Sequence, residues 1–335
     1  MNMAVPKRQY GLSLVELMVA MALSLLLILG VVQIFLSSKQ TYTTNNALSR
    51  LQESGRFALE FMTYDIRNAG YKGECVTPVN VLHPSTVTID ERYMLDVGLQ
   101  GWGPKASDPL PAWFGDDNRH ANTPALLIKH AASGTGASPA AASKVASLDT
   151  TADTNIQTDR IIVLSDPLGC DMFPNYAAPN SRIIRSKSGD DGGDLGHTYS
   201  NVAPNKAQIN YFESSMYFIK PSTQTNVPAL WRAQYGKFEA AAAAPQELVE
   251  GIADMRLEYG IGTPSRQIDK YEPDPTKIAD WNNVLAVRIT VLAVSTETNV
   301  VDVDQPSLDL NGQPIPDRRL GQVFTTTVGI RNRLP

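Results

Sequence analysis

Cysteine is scarce in this chain, with only Cys75 and Cys170 among 335 residues. With no CxxC spacing and no histidine beside either one, the two cannot form a recognisable zinc site. Histidine is nearly as rare: His83, His120, His130 and His197 lie scattered without ligand spacing and read as neutral surface or loop positions. Basic runs longer than a pair are missing and the net charge is −5, so the footprint of a nucleic-acid binder is absent. There is no GxSxG, no P-loop and no HExxH, so no catalytic site is expected, and no cofactor either.

What remains is the composition of an ordinary folded chain, 43% hydrophobic and 19% charged, long enough to bury a core. One feature departs from that pattern. Lys7 and Arg8 precede a run from Leu12 to Leu36 in which Glu16 is the only charge. About 20 apolar residues at ~1.5 Å each span the roughly 30 Å of a bilayer core. The basic pair ahead of the run leaves the N-terminus cytoplasmic and exports the rest of the chain. A cleavable secretory signal is the competing reading, but "VVQIFLSSKQTYTT" offers a poor cleavage site.

The helical pattern also continues past the apolar run. From Gln40 to Asn68 there is no proline, and Gly55 is the only glycine. Ala47, Leu51, Ala58, Met62 and Ile66 recur at spacings of three, four or seven and form one stripe, which Phe57, Phe61 and Tyr64 widen. The spacing predicts one helix over residues 12–69, apolar all round over 12–36 and amphipathic over 37–69, with Gly70 as its stop. Its first half must lie in a membrane or among similar helices.

Beyond Cys75 the period shortens to alternating runs. Strands are expected over 124–131, 159–166, 209–221, 229–235, 255–261, 283–295 and 323–332. In the 283–295 run, Val287, Ile289, Val291 and Ala293 share one face while Leu292 and Val294 take the other. That pattern predicts a central strand covered on both sides, with the N-terminal helix on one of them. No βαβ alternation occurs, so the sheet should be mainly antiparallel and the fold class α+β. The small, polar stretch 131–155 reads as an extended or mobile insertion, and "EAAAAAPQE" (239–247) as a possible turn of helix. Trp102, Trp113 and Phe114 sit among Gly, Pro and Asp, either as a tucked-in loop or as a partner surface.

The leader "GLSLVE", with Gly11 five places before Glu16 and an apolar helix after it, resembles the class III signal of type IV pilins. "GRFALEFMTYDIRNAGYKGEC" (55–75), "QELVEGIADMRLEYGI" (246–261), "WNNVLAVRITVLAVS" (281–295) and "GQVFTTTVGIRNRLP" (321–335) are similar to segments of PilW-type minor pilins. The resemblance implies a type IV pilin-like fold, with a long N-terminal helix packed on an exported β-rich domain over 70–335. It implies removal of leader 1–11 by a prepilin peptidase cutting between Gly11 and Leu12, then N-methylation of Leu12. It also gives Glu16 a partner: an ionised carboxylate at the edge of hydrocarbon needs one, and the amine of Leu12 on a neighbouring subunit would fix axial register. The alternative is a Glu16 at headgroup level, answering the helix dipole.

Export makes a Cys75–Cys170 disulfide the natural expectation, with two free thiols as the alternative. Asp190, Asp191 and Asp194 in "SGDDGGDLG" offer a weak Ca²⁺ candidate that reads better as a solvated turn. The function implied by the resemblance is a minor pilin that primes type IV pilus assembly near the fibre tip, serving twitching motility, adhesion and DNA uptake. Its partners would be other minor pilins, the major pilin, the prepilin peptidase, the inner-membrane assembly platform and, as a further candidate, a tip adhesin, with no direct nucleic-acid contact. It would stand in the inner membrane with a periplasmic domain, then on the surface pilus. A type II secretion pseudopilin and a membrane-anchored binding module are the alternatives.

Overall fold

The computed structural model describes the chain except residues 1–10, 12, 86, 105–108, 115–118, 121, 187–192, 239–243, 263–265, 303–305 and 335, and except the side chain of residue 133. A single helix, α1, runs over Leu14–Asn68. At ~1.5 Å per residue it is about 80 Å long, and it passes through Gly30 without a break. Ala69 closes its last turn by donating to the Ile66 carbonyl, and Gly70 (φ +73) turns the chain away.

Three sheets pack beyond it. The largest has the order β1 (Asn80–Val81), β6 (Gly169–Asn175), β5 (Arg160–Asp166), β8 (Gln208–Pro221), β3 (Ala125–Gly134), β2 (Leu99–Trp102). β9 (Pro228–Gln234) branches from β8 and carries β10 (Gln246–Glu250). The second sheet has the order β12 (Ile268–Glu272), β11 (Ile252–Gly262), β13 (Val284–Val294), β14 (Gly321–Gly329). β4 (Ser147–Asp149) and β7 (Arg182–Ile184) form a small third sheet. Every ladder is antiparallel except β1 with β6. The fold is the expected one, a long N-terminal helix on antiparallel-rich sheets.

The main core lies between α1 and the second sheet. Leu51, Ala58, Met62 and Ile66 meet Val287, Ile289, Val291 and Ala293 of β13 there. Leu292 and Val294 point the other way, into a small cluster with Val227 and Ile315. β13 is therefore covered on both faces, as its composition predicts.

The structure corrects several expectations. Phe57, Phe61 and Tyr64 do not widen the buried stripe but stay 38–56% exposed. Each immediately precedes a buried residue (Ala58, Met62, Asp65), and a step of one residue turns a helix about 100°, which puts them on its flank. The 131–155 stretch is ordered: Ala137 and Leu148 are buried against Ile183 and Tyr199, and β4 pairs with β7. Its small apolar residues find a core supplied from elsewhere in the chain. Gln246 and Glu247, at the end of the stretch read as a turn of helix, open β10, while 239–243 lie outside the described residues. His130 is not a loop residue. It is buried on β3 beside the helix.

Candidate assembly surfaces

The helix start is built by two side chains. Ser13 is the N-cap: its Oγ accepts from the Glu16 N–H at 3.1 Å, and its own N–H donates to Glu16 Oε2 at 3.0 Å. This reciprocal box satisfies two backbone donors that a helix N-terminus otherwise leaves open. It also places a carboxylate at the positive end of the dipole. Gly11 is exposed just ahead of it, and Leu12 lies outside the described residues. Of the residues expected to act in processing, the structure therefore places Gly11 and Glu16.

Beyond the cap, the apolar first half of α1 has no cover among the described residues. Leu14 to Leu36 are exposed throughout, Leu27 to 71% and Ile34 to 69%. It is the one helix among the described residues long and apolar enough to cross a membrane. Covering each such side chain is worth about 1.5–3 kcal/mol, so this half needs a lipid or protein environment. The first contacts with the head come further along. The Gln40 amide donates to the Val300 carbonyl at 2.8 Å, and Arg50 pairs with Glu297 at 2.9 Å.

The far end of α1 is fastened by polar groups that the sequence did not single out. Asp65, 6% exposed on the buried stripe, accepts from the Tyr217 hydroxyl at 2.7 Å, and His130 Nε2 lies 3.2 Å from its other oxygen. Burial and the Asp65 charge raise the Tyr217 pKa, keeping the phenol a donor. One turn on, Gly70 donates to the Lys129 carbonyl at 2.8 Å and Asn332 reaches the Ala69 carbonyl. The fully buried Lys129 ammonium donates to the Glu91 carbonyl at 2.7 Å. Burial holds its pKa down to about 7, Arg333 pushing the same way and Glu91 opposing. Arg333 ties the C-terminus in by donating to the carbonyls of Trp281 (2.6 Å), Val284 (3.0 Å) and Val97 (2.8 Å). The last residues of the chain thus brace the end of its first element. A polar residue on an otherwise apolar stripe, Asp65, was the one available signal of this junction.

Cys75 and Cys170 are joined, with their sulfurs 2.01 Å apart, which ties the segment after α1 to β6. Asp190 and Asp191 lie outside the described residues. Asp194 is exposed, 3.8 Å from the Lys144 ammonium, and no group of three candidate ligands for a metal occurs among the described residues. Trp102 and Phe114 are buried, Phe114 edge-on to Phe218, and the Trp113 indole donates to Glu91. These aromatics are tucked in, not displayed.

Residues 216–332 match the family model described as Type IV Pilus-assembly protein W. Residues 6–32 match that of the Prokaryotic N-terminal methylation motif. Among solved structures, a type IV-like pilin from Thermus thermophilus is similar at 10% identity and a TM-score of 0.36, over 85% of this chain and 98% of that one. No curated protein matches. The first match takes in the strands from the later part of β8 to β14, and the second takes in the cap and the exposed apolar half of α1. The two matches on one chain support a type IV pilus minor pilin, and the motif with its apolar helix fits a membrane-anchored one.

Proposed function

We propose that this chain, with a PilW match over its second sheet and a methylation motif over its first helix, is a minor pilin that primes and assembles type IV pili. The observation that carries the reading is the pairing of that motif with a helix half that has no cover of its own. Cleavage between Gly11 and Leu12 frees an amine next to the cap, and N-methylation keeps it a cation. The chain then stands in the inner membrane with residues 70–335 in the periplasm. During assembly the first half of α1 exchanges lipid for the helices of other subunits.

Glu16 sets the register of that exchange. The capping box occupies its Oε2, leaving Oε1 to accept from the Leu12 amine of a neighbour. The head stands near the fibre tip with other minor pilins and serves twitching motility, adhesion and DNA uptake.

A deletion strain tests the reading. Loss of surface pili with protein secretion intact is the expected result. Loss of secretion with pili intact would indicate a type II secretion pseudopilin, and loss of neither a membrane-anchored binding module. A Glu16→Ala chain should insert in the membrane normally but enter sheared pili at a level at least about tenfold lower, as for a lost interaction of ~1.4 kcal/mol or more.

A further inference from the structure

Sheet edges present unpaired N–H and C=O groups, and natural proteins blunt them with shortness, charge or bulges. The other edge strands here obey that rule. β1 has two residues, β2 four, and β4 and β7 three each. β10 carries Glu247 and Glu250 and shifts register between Glu247 and Val249. β12 carries Asp269, Lys270 and Glu272.

β14 has none of these defences. Its nine residues, "GQVFTTTVG", contain no charge and no proline, and they pair with β13 at every position without a register shift. It ends its sheet, and among the described residues no hydrogen bond reaches its outer side. On the face away from the helix Val323, Thr325 and Thr327 are exposed. The strand is long, flat, β-prone and open.

We infer that this edge receives an antiparallel strand from a neighbouring subunit of the same pilus, extending the second sheet across the contact. The inference rests on the pilin reading above. The direction of β14 selects the occupant. The Phe324 ring lies against Gly55, and further on the Arg331 N–H donates to the Arg67 carbonyl at 3.0 Å, so β14 climbs in the same sense as α1. Two copies joined antiparallel, β14 to β14, would point their helices in opposite directions, and their apolar halves could not enter one membrane. Joined parallel, the copies would carry their helices on opposite faces of the shared sheet, apart from each other. An antiparallel partner with its helix aligned to this one must offer an edge strand that runs against its own helix. In this architecture the β12 position is such a strand, since the order β12-β11-β13-β14 alternates direction, and the charges on this chain's own β12 leave the role to its counterpart in a different pilin. The contact is therefore head-to-tail, between side-by-side subunits sharing one membrane orientation.

The test uses the full chain in its piliated host. Thr325→Lys puts a charge on the edge without touching the core, and Thr325→Val preserves strand propensity. Membrane level and resistance of the native cysteines to alkylation report folding for each. Thr325→Lys should lower the chain in sheared pili by at least about tenfold, with Thr325→Val unchanged. A photo-crosslinker at Thr327 should join the wild-type background to a different pilin subunit. Incorporation of Thr325→Lys at the wild-type level, or a crosslink only to a second copy or to nothing, overturns the edge contact. Absence of the wild-type chain itself from pili would instead overturn the pilin reading on which the contact rests.

Discussion

The two halves of α1 share one backbone geometry and differ in where their cover comes from. From Leu14 to Leu36 every side chain is exposed, while from Ala47 to Ile66 a single stripe is buried against the sheets. The first half is apolar on all sides, so no single face could ever satisfy it. The second is apolar on one stripe and polar elsewhere, so a sheet suffices. The same helix thus serves as an anchor that takes its environment from outside and as a structural rod of the head. Changes in the first half should alter location without unfolding the head, and changes in the second should do the reverse.

The largest effect is expected from a charge in the middle of the anchor. A Leu26→Asp chain pays about 2.5–3.5 kcal/mol at a bilayer centre. It should be lost from the membrane fraction, which fractionation and immunoblotting would show, whereas Arg56→Asp on the exposed side of the rod should remain. Next comes a close approach of the rod to its sheet at Gly55. A Cβ on Gly55 would fall 2.4 Å from the Phe324 ring, so Gly55→Ala should destabilise the head by about 1–3 kcal/mol. Phe324→Leu in the same chain should restore part of that, as read from thermal unfolding of the detergent-solubilised protein.

The smallest effect concerns Lys129. Its folded pKa, about 7, lies below the ordinary lysine value of 10.5. Between those limits the unfolded chain binds more protons, so the stability of the head should rise with pH across that window, with the full penalty standing below pH 7. Lys129→Met should flatten the rise. It forfeits the bond to the Glu91 carbonyl, so its net gain at pH 7 should be only about 1–2 kcal/mol. The head, not the anchor, should carry this pH dependence.

Much of the architecture is legible in the sequence because it rests on local periodicity. The α1 stripe and seven of the eight strands of seven or more residues are marked by apolar runs at helix or strand spacing. β13 even shows both of its covered faces in alternation. The elements that stayed hidden depend on partners distant in the chain. β6, "GCDMFPN", is buried at all seven positions, yet its Gly, Pro and Asn read as a turn. β10 and β12 are charged edges whose alternation is blurred. At the junction Lys129 and Arg333 bond the carbonyls of remote segments, which leave no side-chain pattern to read, and Asp65 alone marks it as a polar residue on an apolar stripe. The leader around Gly11 and Glu16 was legible as a motif, and the box between Ser13 and Glu16 shows its local role within one chain.

The contrast between the two halves is tested most directly by solvent access in the assembled protein. The native cysteines are joined to each other, so a single added thiol reports its own surroundings. With a membrane-impermeant maleimide on intact, outer-membrane-permeabilised cells and on sheared pili, a Leu26→Cys chain should stay unlabelled in both. An Arg56→Cys chain should be labelled in the cells. Labelling of the Leu26→Cys chain as readily as the Arg56→Cys chain would contradict an anchor covered from outside the chain.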